Sequence, residues 1–317
     1  MNDISNMIYG GFVQIGSVWA NPERNLEVIK DKLTSIREEA PKGVPVLAVL
    51  PELCLPGGYA YSSRDALLEH AETVDGQSIG RLMKIAKNLE MCVVAGFAEL
   101  VKADDPKKVK LYNSAIAVTP EGIAEATPVV KIEGQPETVP AVYRKLHLYN
   151  TENVIFDIGD KGFLTFDYGG AKIGMMICYD YSSTRAVDTL ASTGADIIVH
   201  PCNLDRHHAR EFLTTDALRN RVYIITADRI GDEPGMHFIG AGQLTPPNRR
   251  RPLYVAEGEV KSKFELLDLS LARDKRPDPM KNQYNNVMRD KAKVARFFAN
   301  DYVVAANGGN GDNKVEE

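Results

Sequence analysis

The feature that most constrains this 317-residue chain is an alternation of β-rich runs with amphipathic helices, which occurs twice in one order. In the first half, the apolar pattern predicts strands over residues 11–18, 44–50, 91–97 and 112–118, with helices beginning near residues 22 and 78. In the second half it predicts strands over residues 172–177, 196–200, 222–227 and 238–244, with helices over residues 183–193 and 209–221. Each half therefore follows the order β-α-β-α-β-β, which indicates a duplicated pattern.

Strands that alternate with helices predict an α/β protein with largely parallel or mixed sheets. No linker rich in glycine, serine or proline separates the two halves, so we expect them to share one core. We expect a main domain over residues 1–280 and a C-terminal extension over residues 281–317. We expect this extension to end in a mobile tail, because its last residues are polar and rich in glycine. The family resemblance described below implies that the extension also supplies an oligomer contact.

Composition and charge exclude several classes of function. The chain has 38 basic and 43 acidic side chains, a net charge of −5, which argues against partners that need a basic face, such as nucleic acid. No apolar run approaches the roughly 20 residues of a membrane span. The first residues lack the basic segment of a secretory signal, so we expect a cytoplasmic protein.

The four cysteines are widely spaced, which fits neither a zinc site nor a disulfide framework. We therefore expect free thiols. For Cys54 and Cys202, a second redox or nucleophilic role stands against simple packing in the core or along a pocket. Packing is the favoured interpretation, because buried thiols commonly behave as small apolar groups.

Charged or reactive side chains follow apolar runs at three places. Glu52 ends the run over 44–50, Lys145 lies within the basic stretch Tyr-Arg-Lys-Leu-His-Leu, and Cys178 ends the run before a predicted helix. Taken singly, these residues fit a solvated carboxylate, a surface lysine and a buried thiol. Taken together they form a reactive set: a carboxylate can take the thiol proton, and an ammonium can stabilise the charge on an attacked carbonyl.

These stretches give the chain a resemblance to the nitrilase superfamily of carbon–nitrogen hydrolases, over roughly residues 11–278. The motifs occur in order as Pro-Glu at Glu52, Tyr-Arg-Lys-x-His-Leu at Lys145, and Gly-x-x-Ile-Cys-Tyr-Asp at Cys178. The resemblance implies a Glu–Lys–Cys triad of these three residues, with Glu152 as a second glutamate. It also implies a four-layer αββα sandwich with mixed sheets, which pairs into a homodimer or a higher oligomer without a metal or organic cofactor.

The resemblance further implies hydrolysis of a small-molecule amide. Glu52 would accept the proton of Cys178, and Lys145 with the backbone N–H of Tyr179 would stabilise the oxyanion. Water would then hydrolyse the thioester with help from Glu152. The sequence Cys-Tyr-Asp resembles the amidase branches, whereas nitrile hydrolysis is associated with Cys-Trp-Glu. A nitrilase or an N-carbamoyl (ureido) hydrolase on the same triad is the alternative.

Departures from the family pattern concern the substrate pocket. Many relatives have Phe-Pro-Glu where this chain has Ser-Thr-Arg at 183–185, and a tryptophan near 200–203. We therefore name Tyr179, Arg185 and Asn203 as substrate-binding candidates. Arg185 could bind a carboxylate as a bidentate fork, or pair on the surface of its helix. Two other classes of protein stay open: a catalytically silent binding protein, and a structural assembly protein.

Overall fold

The computed structural model describes residues 4–57, 63–102, 108–130, 136–204, 207–233, 236–249, 251–256, 258 and 262–274. The strands are β1 (Met7–Val13), β2 (Val46–Val49), β3 (Cys92–Val101), β4 (Lys110–Thr119), β5 (Gly122–Ile123), β6 (Glu125–Pro128), β7 (Val139–Pro140), β8 (Val142–Arg144), β9 (Leu164–Tyr168), β10 (Ala171–Met175), β11 (Ile197–Pro201), β12 (Tyr223–Ala227), β13 (Ile230–Glu233), β14 (Met236–Ile239), β15 (Gln243–Thr245), β16 (Tyr254–Val255) and β17 (Ser262–Asp268).

The α-helices are α1 (Pro22–Glu39), α2 (Arg64–Leu68), α3 (Gln77–Asn88), α4 (Glu152–Ile155), α5 (Thr184–Ser192), α6 (Ala209–Asn220) and α7 (Leu269–Arg273). The proposed domain boundary at residue 280 and the extension over 281–317 lie outside the described residues. Within the described ranges, no helix is long and apolar enough to cross a membrane.

Two mixed sheets form the centre of the molecule. The first has the order β17-β1-β2-β3-β4-β5, with β8 also paired to β4, and its strands β1, β2 and β3 are parallel. The second has the order β16-β15-β12-β11-β10-β9-β6-β7, and its strands β10, β11 and β12 are parallel. Each sheet therefore has three parallel central strands flanked by antiparallel ones, which matches the duplicated pattern of the sequence.

The two sheets pack face to face and the helices cover their outer sides. In β2, Val46 and Ala48 join the apolar cluster formed with α1 and α3, whereas Leu47 and Val49 join the cluster shared with the second sheet. Helices α5 and α6 pack on the outside of that second sheet. The layers are thus α, β, β and α, and the predicted four-layer sandwich is confirmed. The almost continuous apolar run of β2 follows from its burial on both faces.

The first helix begins where its sequence predicts. The Oδ1 atom of Asn21 accepts a hydrogen bond from the amide of Arg24 at 3.1 Å, and Pro22 occupies the first helical position. The side chain satisfies one of the amides that have no partner within the helix, and the fixed φ of proline suits the first turn.

Two strand predictions need correction, and several strands, among them β9, have no predicted counterpart. The run over 11–18 forms a strand only to Val13, where the pairing of β1 with β17 ends. The strand begins earlier than predicted, at Met7, where that pairing starts. The run over 238–244 is divided between β14, which pairs with β13, and β15, which pairs with β12. Strand β9 was not predicted, although the Gly169-Gly170 turn that joins it to β10 is a hairpin signal. Both glycines have positive φ, at 56° and 78°.

Replacement of Leu82 on α3 tests the contact between the helices and the first sheet. Leu82 is fully buried in the cluster that joins α1 and α3 to the first sheet. We expect Leu82→Ala to lower the free energy of unfolding by about 2–5 kcal/mol, because it leaves a cavity in a packed core. Denaturant unfolding measures this change. Leu266→Ala is the matched control: Leu266 is half-exposed on β17, so its change should stay below about 1 kcal/mol.

Candidate active site

Glu52 lies just after β2, in the turn that leaves the first sheet. Its side chain is fully buried, and the next residue, Leu53, has a φ of +50°. The turn packs directly on Gly96 of β3, where an added Cβ atom would lie 2.6 Å from the Cα atom of Glu52. The amide of Gly96 donates to the carbonyl of Pro51 at 3.3 Å. A residue without a side chain at Gly96 therefore lets the backbone of Glu52 approach the sheet.

Lys145 follows β8 and reaches the same edge of the sheet as Glu52. Strand β8 is antiparallel to β4, and β4 is antiparallel to β3, so the carboxyl ends of β8, β3 and β2 point the same way. The amide of Lys145 donates to the carbonyl of Asn113 at 2.9 Å, and its carbonyl accepts from the amide of Gly159 at 3.0 Å. Its side chain is fully buried.

Arg144, the residue before Lys145, fixes the end of β8. Its Nε and Nη2 atoms donate to the two carboxylate oxygens of Glu99 at 2.8 and 2.6 Å, and Nη1 donates to Asp160 at 2.7 Å. The hydroxyl of Ser114 donates to the same Glu99 carboxylate at 2.7 Å. This bidentate, charge-assisted pairing holds the backbone from which the Lys145 side chain extends.

Cys178 lies three residues beyond the end of β10, at the first position of a 3-10 helix over Cys178–Ser182. Its φ is +39°, an uncommon conformation for a residue with a side chain. The Nε2 atom of His200 lies 2.9 Å from the carbonyl oxygen of Cys178 and donates to it. Because burial lowers the pKa of His200 to about 4, the imidazole is neutral near pH 7 and carries its proton on Nε2. This hydrogen bond holds the strained turn that presents the sulfur.

Asp180 ties the segment of Lys145 to the segment of Cys178. Its carboxylate accepts hydrogen bonds from the hydroxyl of Tyr143 at 2.7 Å, from the amide of His147 at 3.0 Å and from the amide of Ile177 at 2.8 Å. The Nδ1 atom of His147 lies 2.7 Å from the same carboxylate. Burial by itself would raise the pKa of Asp180, but these donors, with His147 foremost, hold it below its usual value.

Glu152 begins the short helix α4 and meets Glu52 across the ammonium of Lys145. The Nζ atom of Lys145 donates to Glu52 at 2.8 Å and to Glu152 at 2.6 Å. The Nδ2 atom of Asn113 donates to both carboxylates, at 2.7 Å each, and the amide of Tyr149 donates to Glu152 at 2.7 Å. One ammonium and one amide group therefore link two fully buried carboxylates.

Burial and charge act in opposite directions on this group. Burial opposes the charge of Lys145, but the carboxylates of Glu152 and Glu52 outweigh it and raise the pKa of Lys145 well above its usual value. Burial raises the pKa of Glu52; the charge of Lys145 opposes that shift and the charge of Glu152 adds to it. At neutral pH the lysine is therefore a fixed cation, and Glu52 holds a proton more readily than an ordinary glutamate.

The thiol of Cys178 is influenced by every member of the group. A hydrogen bond from Cys202 lowers the pKa of the thiol, but burial and the charge of Glu52 raise it, so that the pKa lies above its usual value. Lys145 lowers the pKa and Glu152 raises it further. The resting sulfur is thus protonated at neutral pH and depends on a base to become a nucleophile.

The three substrate-binding candidates lie in different surroundings. Tyr179 follows Cys178 and is half-buried, with its ring centroid 5.0 Å from that of Tyr149. Asn203 follows β11 and is buried; among the residues that the structure describes, neither of its amide atoms has a hydrogen-bond partner. Arg185 is exposed in the first turn of α5, which favours the surface role over substrate binding.

The remaining thiols are free and buried. The Sγ atom of Cys54 lies 3.6 Å from the carbonyl oxygen of Gly96, in the core beside the Glu52 turn. Cys202 is also buried, and its Sγ atom lies 3.2 Å from Nδ1 and 3.1 Å from Nε2 of His200. In the part of the chain covered by the structure, no group of three or more His, Cys, Asp or Glu side chains is placed to hold a metal ion.

Two residues of the site were not singled out from the sequence. Asn113 lies within the predicted strand over 112–118, and Asp180 is the third residue of Cys-Tyr-Asp. A signal was present in both, because a strongly polar side chain within or directly after an apolar strand must find partners when it is buried. The sequence could not show which partners those are.

Two stacked mixed sheets carry a buried thiol, a buried ammonium and two buried carboxylates at their edge. The family model described as carbon-nitrogen hydrolase matches residues 11–249, and the chain belongs to this family, the nitrilase superfamily. The chain is therefore a carbon–nitrogen hydrolase. The resemblance to its amidase-like branch that the sequence motifs indicated is confirmed by the comparisons with known proteins.

The similar proteins include both nitrilases and amidases. A nitrilase of Pyrococcus abyssi (strain GE5 / Orsay) is 34% identical over 292 residues, covering 92% of this chain and 100% of the relative. An (R)-stereoselective amidase of Pseudomonas sp is 30% identical over 236 residues, covering 73% and 76% of the two chains. The crystal structure of an amidase from Nesterenkonia sp. superposes with a TM-score of 0.64 at 20% identity, covering 89% of this chain and 95% of that one. This last likeness shows the shared fold.

Replacement of Gly96 tests the close contact between this residue and the backbone of Glu52. In Gly96→Ala the new methyl group collides with the backbone of Glu52 and Leu53, so we expect the free energy of unfolding to fall by about 1–3 kcal/mol. Gly80→Ala is the matched control, because Gly80 lies in α3 with open space around it. The control should gain about 0.5–1 kcal/mol, since alanine is the better helix former. Denaturant unfolding measures the free energy of unfolding of both variants. Equal values in the two variants would contradict the close approach of the Glu52 backbone to Gly96.

Proposed function

We propose that this enzyme hydrolyses the carbon–nitrogen bond of a small-molecule amide through a thioester on Cys178. The observation that carries the proposal is the pair of hydrogen bonds from Lys145 to Glu52 and Glu152, at 2.8 and 2.6 Å, within a group whose charges act on the Cys178 thiol. A buried ammonium and two buried carboxylates are costly unless they are paired. Their presence around a thiol supports a catalytic role for the group.

In the first half of the reaction, Glu52 takes the proton of the thiol as the sulfur of Cys178 attacks the amide carbon. The carbonyl oxygen becomes negatively charged, and Lys145 stabilises it together with the backbone N–H of Tyr179. Glu52 then gives its proton to the nitrogen, which leaves as ammonia or an amine when the carbon–nitrogen bond breaks. The acyl group is left on the sulfur as a thioester.

In the second half, Glu52 takes a proton from water, and the resulting hydroxide attacks the thioester carbon. The carbon–sulfur bond breaks, the carboxylic acid leaves, and Glu52 returns its proton to Cys178. Glu152 orients the water and keeps Lys145 in place, since it accepts from Nζ of that lysine and from the amide of Tyr149. Neither half-reaction calls for a metal or an organic cofactor.

An amide is preferred over a nitrile because of the residues that follow the nucleophile. Tyr179 and Asp180 give the sequence Cys-Tyr-Asp, which resembles the amidase branches. The 34% identity to the nitrilase of Pyrococcus abyssi favours a second candidate, nitrile hydrolysis on the same residues. A variant of the Nesterenkonia amidase, at 20% identity, carries the acetamide moiety of fluoroacetamide added covalently at its active-site cysteine, so the cysteine of that enzyme reacts with an amide-bearing compound.

Asn203 is proposed to bind a polar group of the substrate. Its side chain is buried with no hydrogen-bond partner for either amide atom among the described residues, and such unpaired groups cost free energy. A substrate that carries both a donor and an acceptor would remove that cost when it binds. Tyr179 and the neighbouring Tyr149 offer aromatic surface, and Arg185 has no part in this proposal.

We also propose a cytoplasmic enzyme that assembles as a homodimer or a larger homo-oligomer. The mechanism needs a reduced sulfur at Cys178, and all four cysteines are free thiols. A reducing compartment keeps such thiols active. Light scattering on the full chain measures the size of the assembly.

Replacement of the nucleophile tests the proposed reaction. We expect Cys178→Ala to lower ammonia release from its best amide by at least about a thousandfold, because no other group can form the thioester. The test uses an amide, a nitrile and a ureido compound that share one carbon skeleton. Intact mass spectrometry should detect an acyl adduct with the amide in the wild type.

Cys92→Ala is the matched control, since Cys92 is buried in β3 within the core cluster. It should keep its activity. Ammonia release by Cys178→Ala at the wild-type rate would refute the mechanism. Faster turnover of the nitrile than of the amide would replace the proposed substrate class with the second candidate.

The pH dependence of kcat/KM should show an acid limb with an unusually high midpoint. Glu52 must be ionised to take the thiol proton, and burial raises its pKa, so activity falls with decreasing pH before an ordinary glutamate would be protonated. The alkaline limb should lie at high pH, because the pKa values of Lys145 and Cys178 are also raised. Circular dichroism over the same range separates this titration from unfolding. An acid limb at the pKa of a solvated glutamate would contradict the predicted burial effect.

Replacement of Asn203 by an apolar residue of similar shape should separate stability from binding. We expect Asn203→Leu to unfold at the same or a higher denaturant concentration, because it removes two buried polar atoms that lack partners. The KM for the amide should rise about tenfold or more with the loss of the substrate contact. Steady-state kinetics and denaturant unfolding test both effects. A loss of stability with an unchanged KM would assign Asn203 to the fold alone.

A further inference from the structure

A buried histidine of the second sheet is hydrogen-bonded to the backbone of the nucleophile. His200 is on β11 and Thr226 is on β12, and the parallel register of the two strands places these residues opposite each other. Both side chains are fully buried. The Sγ atom of Cys202 lies 3.2 Å from Nδ1 and 3.1 Å from Nε2, so this sulfur packs against the imidazole ring. These neighbours hold the ring in place.

Both ring nitrogens of His200 have partners within the protein. The Nε2 atom lies 2.9 Å from the carbonyl oxygen of Cys178, and it carries the ring proton because a carbonyl oxygen can only accept. The Nδ1 atom is then the acceptor, and the hydroxyl of Thr226 lies 3.2 Å from it. Burial lowers the pKa of His200 to about 4, so the ring is neutral near pH 7. With both nitrogens engaged, His200 is not placed to exchange a proton with a substrate.

The carbonyl that His200 binds belongs to the same peptide group as the amide of Tyr179. A peptide group is planar, and in its usual trans form the C=O and N–H bonds point in opposite directions. The position of the Cys178 carbonyl therefore sets the direction of the Tyr179 N–H. Tyr179 is the second residue of the 3-10 helix, and amides at the start of a helix have no partner within it. This N–H therefore faces a partner from outside the helix.

We propose that His200 is a positioning residue, which aims the N–H of Tyr179 at the oxyanion by holding the carbonyl of Cys178. Its Nε2 atom fixes the plane of the peptide group that joins these two residues. The same hydrogen bond polarises the peptide group, which makes the N–H a stronger donor as charge develops on the substrate oxygen. This inference rests on the proposed function, in which the N–H of Tyr179 stabilises the oxyanion.

The other contacts of this turn act on different groups. The φ of Cys178 is +39°, so the turn needs support from its surroundings. The amide of Ile177 donates to the carboxylate of Asp180 at 2.8 Å, and the amide of Asp180 donates to the carbonyl of Ile177 at 3.0 Å. These two bonds hold the turn that carries the sulfur, but neither involves the carbonyl of Cys178. Loss of His200 should therefore affect the Tyr179 amide more than the sulfur.

The experiment compares His200→Met with His200→Gln. The two side chains have the same length, but only glutamine ends in an N–H donor, which can take the place of Nε2. Thr165→Val is the matched control. The buried hydroxyl of Thr165, on β9, also donates to a backbone carbonyl, that of Thr127 on β6 at 3.5 Å.

Two reagents separate the oxyanion site from the sulfur. The aldehyde that matches the acyl group of the amide adds to Cys178, and the oxygen of its tetrahedral adduct takes the place of the oxyanion. Methyl methanethiosulfonate transfers its methylthio group to the sulfur with loss of methanesulfinate, and this reaction forms no oxyanion. The inhibition constant of the aldehyde therefore reports the Tyr179 N–H, and the labelling rate, located at Cys178 by peptide mass spectrometry, reports the thiol.

We expect kcat for the amide to fall by about tenfold to a hundredfold in His200→Met, somewhat less than the cost of removing an oxyanion donor outright. The inhibition constant of the aldehyde should rise by a similar factor. The KM for the amide and the labelling rate should each stay within about threefold of the wild type. His200→Gln should recover most of the lost rate, and Thr165→Val should match the wild type.

Equal kcat values in His200→Met and His200→Gln overturn the proposal. A labelling rate that falls as far as kcat also overturns it, because His200 would then support the sulfur and the surrounding fold alone. Circular dichroism shows whether each variant is folded. If His200→Met fails to fold, His200→Asn takes its place. The asparagine amide is one methylene shorter than that of glutamine and does not reach the Cys178 carbonyl, so this variant should lose the same rate.

The Cys178→Ala variant separates this inference from the proposed function. Ammonia release by Cys178→Ala at the wild-type rate contradicts the thioester mechanism, and the role of His200 falls with it. If Cys178→Ala is inactive while His200→Met keeps the wild-type kcat, the mechanism stands and His200 has no part in it.

Discussion

The buried ammonium of Lys145, held between Glu52 and Glu152, is the interaction on which the rest of the site depends. Three charged groups removed from water are stable only when each is paired and hydrogen-bonded, and Asn113 completes the pairing by donating to both carboxylates. The same arrangement sets the chemistry. In the proposed reaction, the fixed cation meets the oxyanion, and burial makes Glu52 a better acceptor of the Cys178 proton.

The fold serves this group by bringing distant strand ends to one place. The carboxyl ends of β2 and β8 lie at one edge of the first sheet, and the second sheet, packed against it, brings the end of β10. Two contacts then fix the spacing. Gly96 admits the backbone of Glu52, and the carboxylate of Asp180 joins the segments of Lys145 and Cys178. The positive φ of Cys178 is a local strain that this surrounding structure holds in place.

The architecture was largely predictable because its signals are local. Apolar periodicity identified α1, α3, α5 and α6 and most central strands, and the repeated order of elements indicated two similar halves. The errors arose where pairing sets the boundary. Strand β1 extends back to Met7 because β17, more than 240 residues later, offers it partners, and the run over 238–244 divides because its two parts pair with different strands. Long-range pairing of this kind leaves no mark in a short window of sequence.

The sequence by itself determined the family and the candidate reactive residues, because the three motifs retain the residue types of the family in a fixed order along the chain. Only the tertiary structure decided which groups are hydrogen-bonded to one another. Asn113, Asp180 and His200 are ordinary polar residues in the sequence, and their importance comes from partners far away in the chain. The same holds for Cys202, which by position looked like packing and which the fold places against the ring of His200. Hydrogen bonds act over about 3 Å, and only folding brings these residues within that range.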